Sequence, residues 1–172
     1  MSSIKAICEV GPNGKVCGGG SDEGNKCTGT VTLEQASADG PTVISWDIKG
    51  LSPGLHGFHI HEKADFSDGC KSAGPHYNPH GKTHGGPDDE ERHVGDLGNV
   101  EAGADGNSKG SITAPMVSLQ GEFTVIGRSM MVHADPDDHG RGDHSEPGTN
   151  GKTSKTTGNA GARIACGEIK AC

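Results

Sequence analysis

Apolar residues recur at every second position in short runs along this chain, and almost nowhere at the three-to-four spacing of a helix. Thr30–Glu34 places Val31 and Leu33 on one face, and Val43–Ile48 places Ile44, Trp46 and Ile48 together. Further runs lie at Ile4–Cys8, His56–His61, Gly95–Glu101, Ser111–Leu119, Arg128–His133 and Ala162–Ile169, each bounded by Gly, Pro, Asn or Asp. Eight short strands at these spacings predict an all-β, antiparallel sandwich or barrel. Two segments break the rhythm. Residues 62–94 and 134–161 are rich in Gly, Pro, His and Asp and carry no periodicity, and loops of that length in a compact domain are either functional or disordered. With no internal repeat and no linker, residues 1–172 are expected to form a single domain.

Composition changes the picture. Leu, Ile, Val and Phe together supply only 26 of the 172 residues. With a net charge of -8, so low a share ordinarily signals disorder. The 30 glycines point instead to a turn-rich fold that needs more than its core, and ten histidines and six cysteines name metal and disulfide as that help. Several classes drop out. No run approaches the length of a transmembrane helix. Met1–Val10 carries Lys5 and Glu9 inside a short apolar stretch, unlike a secretory signal. An acidic chain with one Trp, one Tyr and three Phe lacks the basic, aromatic surface that binds nucleic acid. The default expectation is a cytoplasmic protein without membrane or nucleic-acid partners, although six cysteines fit that compartment uneasily.

Seven of the ten histidines fall between His56 and His93. His59 and His61, two apart on a predicted strand, point their rings to one side while Ile60 points to the other; paired imidazoles of this kind suit copper or zinc. His76, His84, His93 and Asp96 offer three nitrogens and a carboxylate oxygen, a plausible tetrahedral zinc set. Either pattern alone is also what surface histidines produce.

The segments GFHIHE (57–62), AGPHYNPHGKTHGGPDDEERHVGDLGNV (73–100), MVHADPDD (131–138) and TTGNAGARIACG (156–167) resemble the copper/zinc superoxide dismutase family, in the family's order, over residues 28 to about 169. The resemblance implies an eight-stranded Greek-key barrel with a metal-binding loop (about 62–94) and an electrostatic loop (about 134–161). It implies dismutation of superoxide to dioxygen and hydrogen peroxide by alternating reduction and reoxidation of copper. One copper and one zinc per subunit are expected, with His59, His61, His76 and His133 on copper and His76, His84, His93 and Asp96 on zinc. His76 would then bridge the ions as an imidazolate and carry the catalytic proton. Asp137 would link the rings of His59 and His84 from outside, and Arg163 would guide the substrate anion. Lys152 and Lys155, in the second long loop, are candidates to assist Arg163, with solvated loop residues as the alternative for each. Of the other histidines, His56 is expected in a structural hydrogen bond, and His80, His139 and His144 as solvated loop residues.

Cys70 and Cys166 match the family's intrasubunit disulfide, and Cys8 its buried thiol. Cys17 and Cys27 bracket a glycine-rich insertion and read as a second disulfide across the first hairpin, with free thiols or a weak metal pair as alternatives. Cys172 is expected to be unpaired. The rival to an enzyme is a copper-binding or copper-delivery relative on the same scaffold. A delivery protein would carry MxCxxC and CxC motifs, which this chain lacks, and an inactive relative would be expected to lose a ligand or Arg163. Family members commonly form homodimers and receive copper from a chaperone. In this chain Glu168 and Lys170 fall in the expected dimer face with Ile126 and Gly127, so a salt-sensitive homodimer is expected in which Glu168 of one subunit meets Lys170 of the other, the alternative being a monomer in which both face water.

Overall fold

The computed structural model describes residues 2–14, 26–142 and 150–172, with the side chains of 150–153 excepted. The alternating runs become strands β1 (Ile4–Val10), β2 (Thr28–Gln35), β3 (Thr42–Lys49), β4 (Gly54–His61), β6 (Asp96–Ala102), β7 (Ser108–Ala114), β8 (Ser129–His133) and β9 (Arg163–Glu168). Two short strands join them, β5 (Ser67–Cys70) and β10 (Lys170–Ala171). One antiparallel sheet has the order β10-β1-β2-β3-β7 and the other β6-β4-β8-β9. Because β3 hands the chain to β4 in the other sheet while pairing with β7, the connectivity is the expected Greek key. The predicted Ser111–Leu119 strand stops at Ala114, since Pro115 has no amide hydrogen for the ladder.

The core lies between the sheets. Ala6, Cys8 and Val10 of β1, Val31 and Leu33 of β2 and Ile44 and Ile48 of β3 face Phe58 and Ile60 of β4, Val100 of β6 and Met130 and Val132 of β8. The few polar groups in it are satisfied: the Gln35 side chain donates to the Gly40 carbonyl and accepts from the Leu119 amide at 2.9 Å each, and Thr42 Oγ1 donates to the Val117 carbonyl at 2.6 Å. Ile169 breaks β9 from β10 and points into the core, fully buried.

The four-stranded sheet is buried on both faces. Phe58 and Ile60 enter the core, while His59 and His61 on the other side of β4 are equally inaccessible, because the long loops cover them. A smaller cluster of Cys70, Ala73, Met131 and Cys166 seals this outer face, tied by the Cys70–Cys166 disulfide, which spans 96 positions of sequence. The second loop is not structureless as its sequence suggests. It contains helix α1 (Asn150–Thr157), a Gly/Thr/Lys sequence with little intrinsic helix preference. Tertiary bonds hold it: buried Ser154 donates through Oγ to Asp138 Oδ1 at 2.8 Å and accepts the Gly142 amide at 2.9 Å, and the Lys155 carbonyl accepts the His84 amide at 2.9 Å.

Candidate metal centre

Two bulges sit beside the histidines. The β4–β6 register slips between Gly57 and His59, and the β8–β9 register slips between Val132 and His133; bulges of this kind re-aim side chains at sheet edges and functional sites. The first loop is then laced onto β4. The Ile60 amide donates to the Gly95 carbonyl (2.9 Å), the Tyr77 amide to the Ile60 carbonyl (2.8 Å) and the Gly95 amide to the Tyr77 carbonyl (3.0 Å). Gly95 is irreplaceable in this lacing, since a Cβ there would lie 2.1 Å from the Ile60 oxygen.

This lacing brings together the histidines singled out from the sequence. One nitrogen each from His59, His61, His76 and His133 forms a group within 4.8 Å, and so does one atom each from His59, His76, His84 and Asp96. His93, absent from that second group, nonetheless converges on the same carboxylate. Asp96 Oδ1 lies 2.9 Å from His76 Nδ1, 2.9 Å from His84 Nδ1 and 3.3 Å from His93 Nδ1, and the His76 and His93 Nδ1 atoms are 3.3 Å apart. A tetrahedral ion with bonds of about 2.0 Å needs ligand atoms about 3.3 Å apart. These separations fit it.

The outer nitrogens explain which atoms are left for an ion. His59 Nε2 bonds Asp137 Oδ2 at 2.6 Å, His61 Nδ1 bonds the Gly74 carbonyl at 2.8 Å, and His133 Nδ1 bonds the Gly161 carbonyl at 3.1 Å. Since a carbonyl or carboxylate only accepts, each ring carries its proton on that outer nitrogen and turns a lone pair inward. The inward atoms His59 Nδ1, His61 Nε2, His76 Nε2 and His133 Nε2 are buried without a protein hydrogen-bond partner. Buried polar atoms left unpaired are costly, and four lone pairs converging from two strands and a loop have one chemical use, a cation. The donor sets therefore fit a copper-type nitrogen site and a zinc-type nitrogen/oxygen site that share His76.

Electrostatics follow the same division. Burial, then the neighbouring rings, pushes His59 and His61 well below the usual imidazole range and His133 down to about 4. Burial also works against a charge on His84, yet its bonds to Asp137 and Asp96 outweigh it and raise His84 to about 9. Burial alone would raise Asp96, but three imidazole partners hold it far below the carboxylate range.

Asp137 links the two groups. Its Oδ2 takes the His59 bond and its Oδ1 the His84 bond at 2.7 Å. Arg163 pairs across the ladder with His133 and donates through Nη1 to the carbonyls of Cys70 (3.1 Å) and Lys71 (3.2 Å). It borders a cleft of about 720 Å³ with Asn13, Cys70 and Gly161. Lys155 is placed elsewhere, behind His84 in a depression with Asp89, His139 and Arg141. Lys152, His144 and Cys17 lie outside the described side chains, and Cys27 is wholly buried. His56 bonds the His133 and Ser52 carbonyls at 2.8 Å each, and His80 is exposed with its ring 4.9 Å from Phe123. Three contributors escaped the sequence reading. Gly74 and Gly161 act through backbone carbonyls, and Gly158, at φ 70°, leaves room where a Cβ would lie 2.0 Å from Asp137 Oδ1; none has a side-chain signature. The family model for copper/zinc superoxide dismutase (SODC) matches residues 27–169, a span that takes in every donor above, Asp137, the disulfide and Arg163.

Proposed function

Because the chain belongs to the copper/zinc superoxide dismutase family, we propose that it disproportionates superoxide, two anions and two protons giving one dioxygen and one hydrogen peroxide. The observation that carries this reading is the set of four inward, unpartnered imidazole nitrogens joined through one ring, His76, to the Asp96 donor set. His59, His61, His76 and His133 would hold copper, and His76, His84, His93 and Asp96 would hold zinc. When bound, copper supplies one-electron exchange and zinc a fixed positive charge on the shared ring.

The chain's own groups do the rest. At net charge -8 the molecule as a whole repels an anion, so attraction must be local. Arg163 provides it, with a guanidinium that stays protonated in proteins and is fixed beside His133 by two carbonyls. His76 Nε2 is the buried basic atom able to hold a proton and deliver it to peroxide, while its Nδ1 stays against Asp96 at 2.9 Å. Asp137 keeps His59 and His84 in the tautomer that presents Nδ1 inward.

The whole chain acts in this reading as one cytoplasmic domain that pairs as a homodimer. Glu168 and Lys170 are both exposed and lie 3.9 Å apart within the same chain. Their charges therefore meet within one subunit and need no partner across a two-fold axis. Loading the protein with one copper and one zinc and following superoxide decay by pulse radiolysis tests the function. Catalysed decay that scales with copper content is expected. A doubly loaded protein that leaves decay at its spontaneous rate would overturn the enzyme in favour of a copper-binding relative.

A further inference from the structure

Beside Asp137, in a depression it shares with His84, the chain places one more imidazole. Residue His139 has a left-handed backbone, φ 58°, and a half-buried ring. The ring fills a slot between two glycines. A Cβ on Gly86 would lie 3.0 Å from His139 Nδ1, and one on Gly98 would lie 3.5 Å from its Nε2. Two bonds connect this residue to the centre. Its backbone amide donates to Asp137 Oδ1 at 2.8 Å, and its Nε2 lies 3.3 Å from Asn99 Nδ2.

The protonation of that ring can be deduced from the backbone. Asn99 Oδ1 accepts the Asp137 amide at 2.7 Å, and Asn99 Nδ2 donates to the Asp137 carbonyl at 3.1 Å. An amide hydrogen faces one end of the Asn99 side chain and a carbonyl the other, so its orientation is not free to flip. The nitrogen facing His139 is therefore a donor, and His139 Nε2 must accept. The ring is then neutral with its proton on Nδ1. We propose that His139 is a positioning residue of the metal centre: its neutral ring fixes Asn99, Asn99 fixes the Asp137 backbone, and the Asp137 carboxylate thereby holds His59 and His84 in register. A proton on Nε2 would set donor against donor and release the clamp. The charged groups around the ring are Asp89, Glu90, Glu91, Arg141 and Lys155 in the depression it shares with His84, and Asp137 and Asp138 on its own loop. This inference rests on the metal-centre reading above.

Two substitutions separate the hydrogen bond from the fold. His139→Gln keeps an acceptor near the position of Nε2 and cannot charge. His139→Asn suits the left-handed backbone but is too short to reach Asn99. Zinc retention by the copper- and zinc-loaded proteins is measured against a chromophoric chelator at about pH 8. His139→Gln should match the unaltered protein within about twofold, and His139→Asn should bind zinc about tenfold more weakly. His139→Asn matching the unaltered protein, or His139→Gln binding zinc as weakly as His139→Asn, would overturn the proposal. Long-range proton–nitrogen NMR of the unaltered protein in its Cu(I), Zn form reads the tautomer directly: Nδ1–H is expected, and Nε2–H overturns the assignment whatever the variants do. Failure of the unaltered protein to take up zinc would instead defeat the metal-centre reading, and the tautomer spectrum of the metal-free protein would then decide for His139.

Discussion

Replacing Asp137 by Asn should turn two cooperating metal sites into competitors. The carboxylate accepts His59 Nε2–H at 2.6 Å on one oxygen, and His84 Nε2–H at 2.7 Å together with the His139 amide at 2.8 Å on the other. An Asn side chain is nearly the same shape but offers one acceptor and one donor. Whichever ring faces its NH2 group must accept at Nε2, and a neutral ring that accepts there carries its proton on Nδ1, the atom turned toward the ion. That ring can no longer serve as a ligand without a donor–donor clash. In the absence of ions the amide oxygen belongs on the His84 side, where two donors wait for it.

Loading reverses this preference. Copper binds nitrogen donors more strongly than zinc does, so copper on His59 Nδ1 should draw the amide oxygen to His59 and leave His84 facing NH2. Loss of an outer partner typically costs 10- to 100-fold in metal affinity, or about 1.4–2.7 kcal/mol. In Asp137→Asn the zinc affinity should fall by about that factor when copper is present, and by much less when it is absent. Chelator competition for zinc, run with and without stoichiometric copper, measures both numbers. A zinc affinity that is unchanged, or lowered equally in the two conditions, would refute the tautomer reasoning.

Three further outcomes are expected. Cys70→Ser with Cys166→Ser should lower stability by about 4–5 kcal/mol in the loop-entropy account, and should also lower the superoxide rate, since the Cys70 carbonyl holds Arg163; denaturant unfolding and pulse radiolysis on one sample check both, and equal midpoints would contradict the first. Arg163→Ile should cut the second-order rate at least several-fold with copper still bound, and a rate unchanged across ionic strength would remove Arg163 from the mechanism. The metal-free protein should show a stability maximum near pH 6.5, the unfolded value of its histidines. His133, lowered to about 4, contributes stability that is lost as pH falls from 6.5, and His84, raised to about 9, contributes stability that is lost as pH rises through 9; thermal melts that do not change between these limits would contradict both assignments.

The parts of this molecule legible in its sequence are those in which one residue's spacing decides its place. The alternation Val31, Leu33 needs only the period of a strand, and the same period puts His59 and His61 on one face opposite Phe58 and Ile60. Spacing fails across loops. Nothing in the separation of Cys70 from Cys166, or of Asp137 from His59 and His84, fixes their meeting, and those pairs were legible only through likeness to a family. Helix α1 was hidden because its stability comes from Asp138, His84 and Gly142 rather than from its own residues. The place of Lys155, a candidate partner of Arg163 or a solvated loop residue, was not legible for a related reason: on a helix the facing direction depends on how the loop docks, and the docking sets it beside His84, Asp89 and Arg141.

The same loops resolve the conflict between a composition that suggests disorder and a chain with an ordered core. Among the described residues the apolar cluster on the outer face of the four-stranded sheet has four buried side chains, Cys70, Ala73, Met131 and Cys166, with Phe66 packed against them. Beside Ala160, the described cover includes buried imidazoles and Asp96 and Asp137. An unmet buried polar atom costs about 1–3 kcal/mol, so the inward nitrogens of His59, His61, His76 and His133 together stand against a net stability that is only about 5–15 kcal/mol in a typical domain. Ions that satisfy those atoms remove the cost and become part of the folding free energy. The centre thus does for the outer face what Ile, Leu and Val do between the sheets. On this argument loop closure, disulfide formation and ligand geometry are one cooperative event, and a substitution that loosens any of them should appear both as lost metal and as lost stability.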